Sequence, residues 1–120
     1  RLAIVTGANA SGVRATERAY RFEALFSVVV SGDDVRHSKP APDCYLLALA
    51  RLGLRADECL AVEDTEHGLR AASLAGVECL AVPTEMSRHH DFSLAAGIFA
   101  DMAAARAHIQ AEFVRRAGAA

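Results

Sequence analysis

Four short apolar runs, separated by stretches of helical length, set the strongest constraint on how this chain folds. They span residues 2–6, 26–31, 59–63 and 77–83. Each is continuously apolar rather than alternating, the pattern of strands covered on both faces. Between them the spacing predicts helices over about residues 11–20, 42–52 and 65–75. Pro42 stands in a helical first turn with Gly53 just past the end, and Thr65 is a capping residue for a helix that stops at Gly76. Beyond Pro83 come a polar loop (84–91), a short strand near Ile98 and Phe99, and a helix over about 102–116. In that last helix Ile109 and Phe113 are four apart as its apolar face, with Arg106, Arg115 and Arg116 solvated. Strands alternating with such helices build βαβ units. The expected fold is therefore α/β: a Rossmann-like, mostly parallel sheet with helices on both faces, in a single domain over residues 1–120.

Charge and cysteine usage exclude several functions. Thirteen basic against fifteen acidic residues give a formal charge of −2, which leaves neither a basic stripe for nucleic acid nor an acidic tail. No apolar run approaches the ~20 residues that cross a bilayer, and none has the form of a signal peptide. A soluble, cytoplasmic protein without nucleic-acid or membrane partners is expected. Cys44, Cys59 and Cys79 are far apart and odd in number, with no C-x-x-C pair, and read as small buried hydrophobes in a reducing compartment. His89, His90 and Asp91 read as a solvated loop, because adjacent histidines converge poorly on one ion. His67 reads as helix surface.

In parallel α/β sheets ligands bind beyond the carboxyl ends of the strands. Here the first strand ends in Thr6 and Gly7, the second leads through Gly32-Asp33-Asp34 to Ser38-Lys39-Pro40, and the third ends in Glu63-Asp64-Thr65. A hydroxyl, a backbone amide and an ammonium suit a phosphoryl group, since each offers hydrogen bonds or positive charge to its oxygens. Two carboxylates suit Mg²⁺, which takes carboxylate, phosphate and water oxygens. Lys39 is the only lysine among the thirteen basic residues. A compact ammonium does not exchange freely with a guanidinium at such a site.

The stretch from Ser31 to Asp43 (SGDDVRHSKPAPD), followed by the stretch from Val62 to Ala72 (VEDTEHGLRAA), resembles the haloacid dehalogenase-like superfamily, closest to its phosphatase and phosphoglucomutase branch. The resemblance runs over roughly residues 2–83 and is strongest over 32–76. It implies that Thr6 and Gly7 bind the transferred phosphoryl group, that Lys39 steadies nucleophile and phosphate, and that Glu63 and Asp64 hold Mg²⁺. It further implies covalent phosphoryl transfer from a small phosphorylated metabolite through an aspartyl-phosphate. The family's first motif, an Asp-x-Asp loop carrying the nucleophile, is absent from these 120 residues, as is the inserted cap. The strand bearing that motif lies at the centre of the family sheet, between the strands that here end in Thr6 and Glu63. The chain also opens almost directly into an apolar run at Leu2. The expectation is a C-terminal portion of a longer enzyme, completed by a missing N-terminal segment or by a second copy, and inactive alone. The alternative is a non-catalytic, truncated module that binds phosphate or a partner.

Thr6-Gly7 is also similar to the Thr-Gly-x-x-x-Gly-x-Gly opening of short-chain dehydrogenases. The later glycine positions fall on Ser11 and Val13, and no Tyr-x-x-x-Lys follows. That function is set aside.

Overall fold

In the computed structural model, which describes residues 1–119, strand and helix alternate as the apolar runs imply. The order is β1 (Ala3–Val5), α1 (Ala10–Tyr20), β2 (Val28–Val30), α2 (Asp43–Leu52), β3 (Leu60–Glu63), α3 (Glu66–Leu74), β4 (Glu78–Ala81), β5 (Gly97–Ile98) and α4 (Met102–Ala119). Helix boundaries follow local chemistry. Asn9 caps α1 by accepting from the Gly12 amide at 2.8 Å, and Thr65 caps α3 by accepting from the Gly68 amide at 3.1 Å. Gly53 ends α2 at φ +66, a left-handed conformation that residues with a Cβ rarely adopt.

Every strand pair is parallel, but the strands form two sheets rather than one. β1 pairs with β2, Ala3 opposite Val28 and Val5 opposite Val30. β3 pairs with β4, Leu60 opposite Glu78, and β4 pairs with β5, Leu80 opposite Gly97. Among the described residues no ladder joins β1 to β3. Helix α2 packs on β1 and β2, α3 packs on β3 and β4, and the two helices touch. The halves are thus joined through one core, in which Val30 and Leu69 are fully buried; Leu80 is fully buried outside that cluster. Much of the rest of that core is small: Cys44, Ala48, Ala71, Ala72, Cys79 and Ala81. Small side chains let the helices lie close to the strands, and residual voids would be costly.

The last helix differs from its expected packing. Ala105 is completely buried, and Ile109 and Glu112 are half-buried on the same face, at i, i+4 and i+7. Phe113 falls one residue past that stripe, about 100° further round, and is 70% exposed.

Candidate functional site

The loop after β1 is shaped by the loop after β2. The Thr6 amide donates to Val30 O at 2.9 Å, prolonging the ladder, and the Thr6 hydroxyl oxygen accepts from the Ala8 amide at 3.1 Å. The Gly32 amide donates to Ala8 O at 2.7 Å, and the Ala10 amide donates to Asp33 Oδ2 at 2.8 Å. A Cβ on Gly32 would lie 2.5 Å from the Gly7 carbonyl oxygen, so only glycine permits this approach. Asp34 turns back to accept from the Ser31 amide at 2.8 Å and the Ser31 hydroxyl at 3.1 Å. The Ser31 amide holds its carboxyl below the usual carboxylate range. Both aspartates of this turn are therefore engaged with neighbouring loop backbone.

Lys39 joins the two half-sheets. Its ammonium donates to Val5 O, at the carboxyl end of β1, at 2.9 Å. It also donates to Glu63 Oε1, at the end of β3, at 2.7 Å. The pair is largely buried, with side chains 15% and 8% exposed. The Tyr45 hydroxyl, from α2, donates to the same Glu63 Oε1 at 2.5 Å, and the Lys39 ammonium lies 5.6 Å from the Tyr45 ring centre. The Glu63 carboxylate rests against Gly68 in the first turn of α3, where a Cβ would fall 2.0 Å from Oε2. A buried carboxylate is tolerable only when paired and hydrogen-bonded, and this one is both. Burial, followed by the Glu63 charge, pushes the Tyr45 hydroxyl far above its ordinary pKa. The same two causes push the Cys79 thiol up to about 12, and burial raises Cys44. The neighbourhood of the ion pair is thus held neutral.

The residues singled out in the sequence stand as follows. Lys39 and Glu63 are in direct contact. Thr6 and Gly7 follow the carbonyl that Lys39 grips, and Gly7 is exposed. Asp64 is exposed immediately after Glu63. Lys39 thus ties the end of β1 to the end of β3, and Thr6, Gly7 and Asp64 are the residues that follow those two strand ends in sequence. Among the described residues no three His, Cys, Asp or Glu side chains cluster to hold a metal unaided. Glu63 Oε1 is taken by Lys39 and Tyr45, so it is Glu63 Oε2 and the exposed Asp64 carboxylate that would offer oxygens to Mg²⁺, an ion that keeps waters and substrate oxygens around one or two carboxylates. His67 is exposed and the cysteines are free, with Cys44 and Cys79 buried. The 89–91 loop is less solvated than expected: His90 Nδ1 accepts from the Glu66 amide at 3.2 Å and the Asp91 amide donates to Glu66 Oε2 at 3.3 Å. Tyr45 escaped the sequence argument. Its only signal is an aromatic in the first turn of an apolar helix, which reads as core. Two surface depressions, of about 180 and 340 Å³, lie along α3 and β4 and are lined by none of Thr6, Lys39 or Glu63.

With the site described, its class is plain: the chain belongs to the haloacid dehalogenase-like hydrolase family, whose profile matches residues 1–82. Among known proteins, protein CbbY of Rhodobacter capsulatus is 46% identical over 81 residues, covering 68% of this chain and 36% of that protein. Fructose-1-phosphate phosphatase YqaB of Escherichia coli is 35% identical over 81 residues, 68% of this chain and 43% of that one. The crystal structure of CbbY from Rhodobacter sphaeroides in complex with phosphate matches with a TM-score of 0.82 and 37% identity, over 86% of this chain and 47% of the other. The chain spans less than half the length of these relatives. No helix among the described residues is long and apolar enough to cross a membrane.

Proposed function

We propose that this chain forms the phosphate- and cation-handling rim of a Mg²⁺-dependent phosphatase or phosphomutase acting on a small phosphorylated metabolite, of which a sugar phosphate is the favoured class. The observation that carries this is the Lys39 ammonium, held at once by the end of β1 and by Glu63 of β3. An ammonium has three N–H donors, so one is left for a phosphoryl oxygen. The Thr6 hydroxyl accepts locally and keeps its own proton to donate, and the exposed Gly7 amide adds a second donor. Glu63 and Asp64 would hold Mg²⁺, which when bound neutralises negative charge on the phosphoryl group. The relatives named for phosphate and fructose-1-phosphate support the substrate class.

The nucleophile in this account is an aspartate outside these 120 residues. Its carboxylate attacks phosphorus, and the ester P–O bond breaks with its electron pair passing to the leaving oxygen, which takes up a proton. Water, or a second hydroxyl, then cleaves the aspartyl-phosphate. The unjoined edges of β1 and β3 support a core completed by a further strand, because open strand edges carry unpaired amides and carbonyls. The chain alone binds phosphate but does not turn over. The second reading is a non-catalytic phosphate-binding module; Asp33 and Asp34, both engaged by loop backbone, offer no nucleophile under either reading.

The test is calorimetric titration with inorganic phosphate in Mg²⁺, alongside p-nitrophenyl phosphate turnover. Expected are phosphate binding lost in Lys39→Ala and turnover at background. Equal phosphate binding by Lys39→Ala overturns the assignment of the rim. Turnover that needs Mg²⁺ and Lys39 overturns the external nucleophile. Turnover gained on adding the N-terminal half of a family member decides against the non-catalytic module.

A further inference from the structure

We propose that Tyr45 is a positioning residue for the phosphate-binding ammonium: by holding Glu63 Oε1 it fixes the partner against which Lys39 is aimed. The role of Lys39 rests on the function proposed above; the role of Tyr45 rests on geometry alone. The Tyr45 hydroxyl and the Lys39 ammonium converge on one oxygen, Glu63 Oε1, at 2.5 and 2.7 Å. Tyr45 is 7% exposed and sits on α2, which packs on β1 and β2, whereas Glu63 belongs to β3. The hydroxyl is thus the tie by which the first half-sheet's helix grips the second half-sheet's carboxylate. Its ring also lies beside the ammonium, 5.6 Å from centre to Nζ.

Without the hydroxyl, Glu63 Oε1 keeps the lysine as its one hydrogen-bond donor. The ammonium then keeps Val5 O, but the carboxylate that aims it has lost its tie to α2. Tyr45→Phe retains the ring and its packing while removing that restraint. The tie matters because donors positioned in advance stabilise a phosphoryl group without reorganising. A loosened ammonium would still attract phosphate as a charge but would hold it less tightly.

The single lysine makes the test direct, because ¹⁵N-lysine labelling gives one side-chain ammonium resonance. In the full chain that resonance should be sharp, with slow exchange to water. Tyr45→Phe should speed the exchange about tenfold, in keeping with loss of one charge-assisted hydrogen bond, while backbone resonances away from Glu63 stay in place. An unchanged exchange rate in a folded Tyr45→Phe overturns the proposal. Should that variant unfold, 3-fluorotyrosine labelling replaces it. With two tyrosines present, Glu63→Gln should move the ¹⁹F signal of Tyr45 and leave that of exposed Tyr20; an unmoved Tyr45 signal overturns the proposal. Inorganic phosphate is then titrated into the labelled wild type. If it leaves the lysine resonance unmoved, the phosphate-binding reading fails and the Tyr45 result still stands on the exchange data.

Discussion

Gly68→Ala is a substitution whose sign separates two accounts of one residue. Gly68 lies in the first turn of α3, and as a helical residue it should gain about 1 kcal/mol from a methyl group. Its added Cβ, however, would stand 2.0 Å from Glu63 Oε2, 2.3 Å from the carboxyl carbon and 2.9 Å from Oε1. The carboxylate is the end of a flexible chain and can swing away, so the clash itself is not the main cost. The cost lies in what it leaves: a largely buried Lys39 ammonium that keeps only Val5 O, and a buried Tyr45 hydroxyl without its acceptor. Hydrogen bonds to a charged group are worth roughly 1.5–3 kcal/mol each. Two of them, less the helical gain, leave a net loss of about 3 kcal/mol. Taking an unfolding entropy near 2.1 cal/mol/K per residue over 120 residues, this lowers Tm by about 12 °C. Thermal denaturation followed by circular dichroism measures it. In a Glu63→Ala background nothing remains to displace, and Gly68→Ala should become neutral or stabilising. A Tm raised by Gly68→Ala in the wild-type background would refute the seat assigned to Glu63.

Other outcomes follow from the same structure. Gly32→Ala forces the Gly7 carbonyl aside and should cost about 1–3 kcal/mol in chemical denaturation, with weakened phosphate binding, as an overpacked contact does. Ellman's reagent near pH 8 should label half-buried Cys59 first and reach Cys44 and Cys79 only on unfolding, since burial disfavours both thiolates and Cys79 is pushed up to about 12. Asp34 contributes stability through its ionised form, because its folded pKa is depressed. That contribution is complete above the unfolded value near 4 and is lost as pH falls through the folded value. The Tm difference between wild type and Asp34→Asn should therefore shrink below about pH 4; a difference constant from pH 3 to pH 7 would count against the Asp34–Ser31 turn.

Strands buried on both faces announce themselves as unbroken apolar runs, and the observed β1 to β4 fall inside the runs at 2–6, 26–31, 59–63 and 77–83. Thr65 and Gly53 mark helix ends because capping is local chemistry. The contact of Lys39 with Glu63 has a similar origin: the end of β3 and the loop after β2 lie at one edge of a parallel fold, so the two residues could be grouped from sequence. What stayed hidden depends on tertiary partners. Tyr45 reads as core until Glu63 is seen beneath its hydroxyl. Nothing in the sequence tells that Asp33 and Asp34 are taken up by loop backbone. His90 reads as loop surface until the first turn of α3 offers it an amide. Phe113 keeps the four-residue spacing from Ile109, yet the packed face of α4 runs through Ala105, Ile109 and Glu112 and leaves it outside.

The most direct test is a crystal structure of this chain grown with Mg²⁺ and inorganic phosphate. The account predicts phosphate within hydrogen-bond distance of the Thr6 hydroxyl, the Gly7 amide and Lys39 Nζ, with the cation on Glu63 and Asp64. Phosphate bound elsewhere, for instance beside Arg70 along α3, would contradict it.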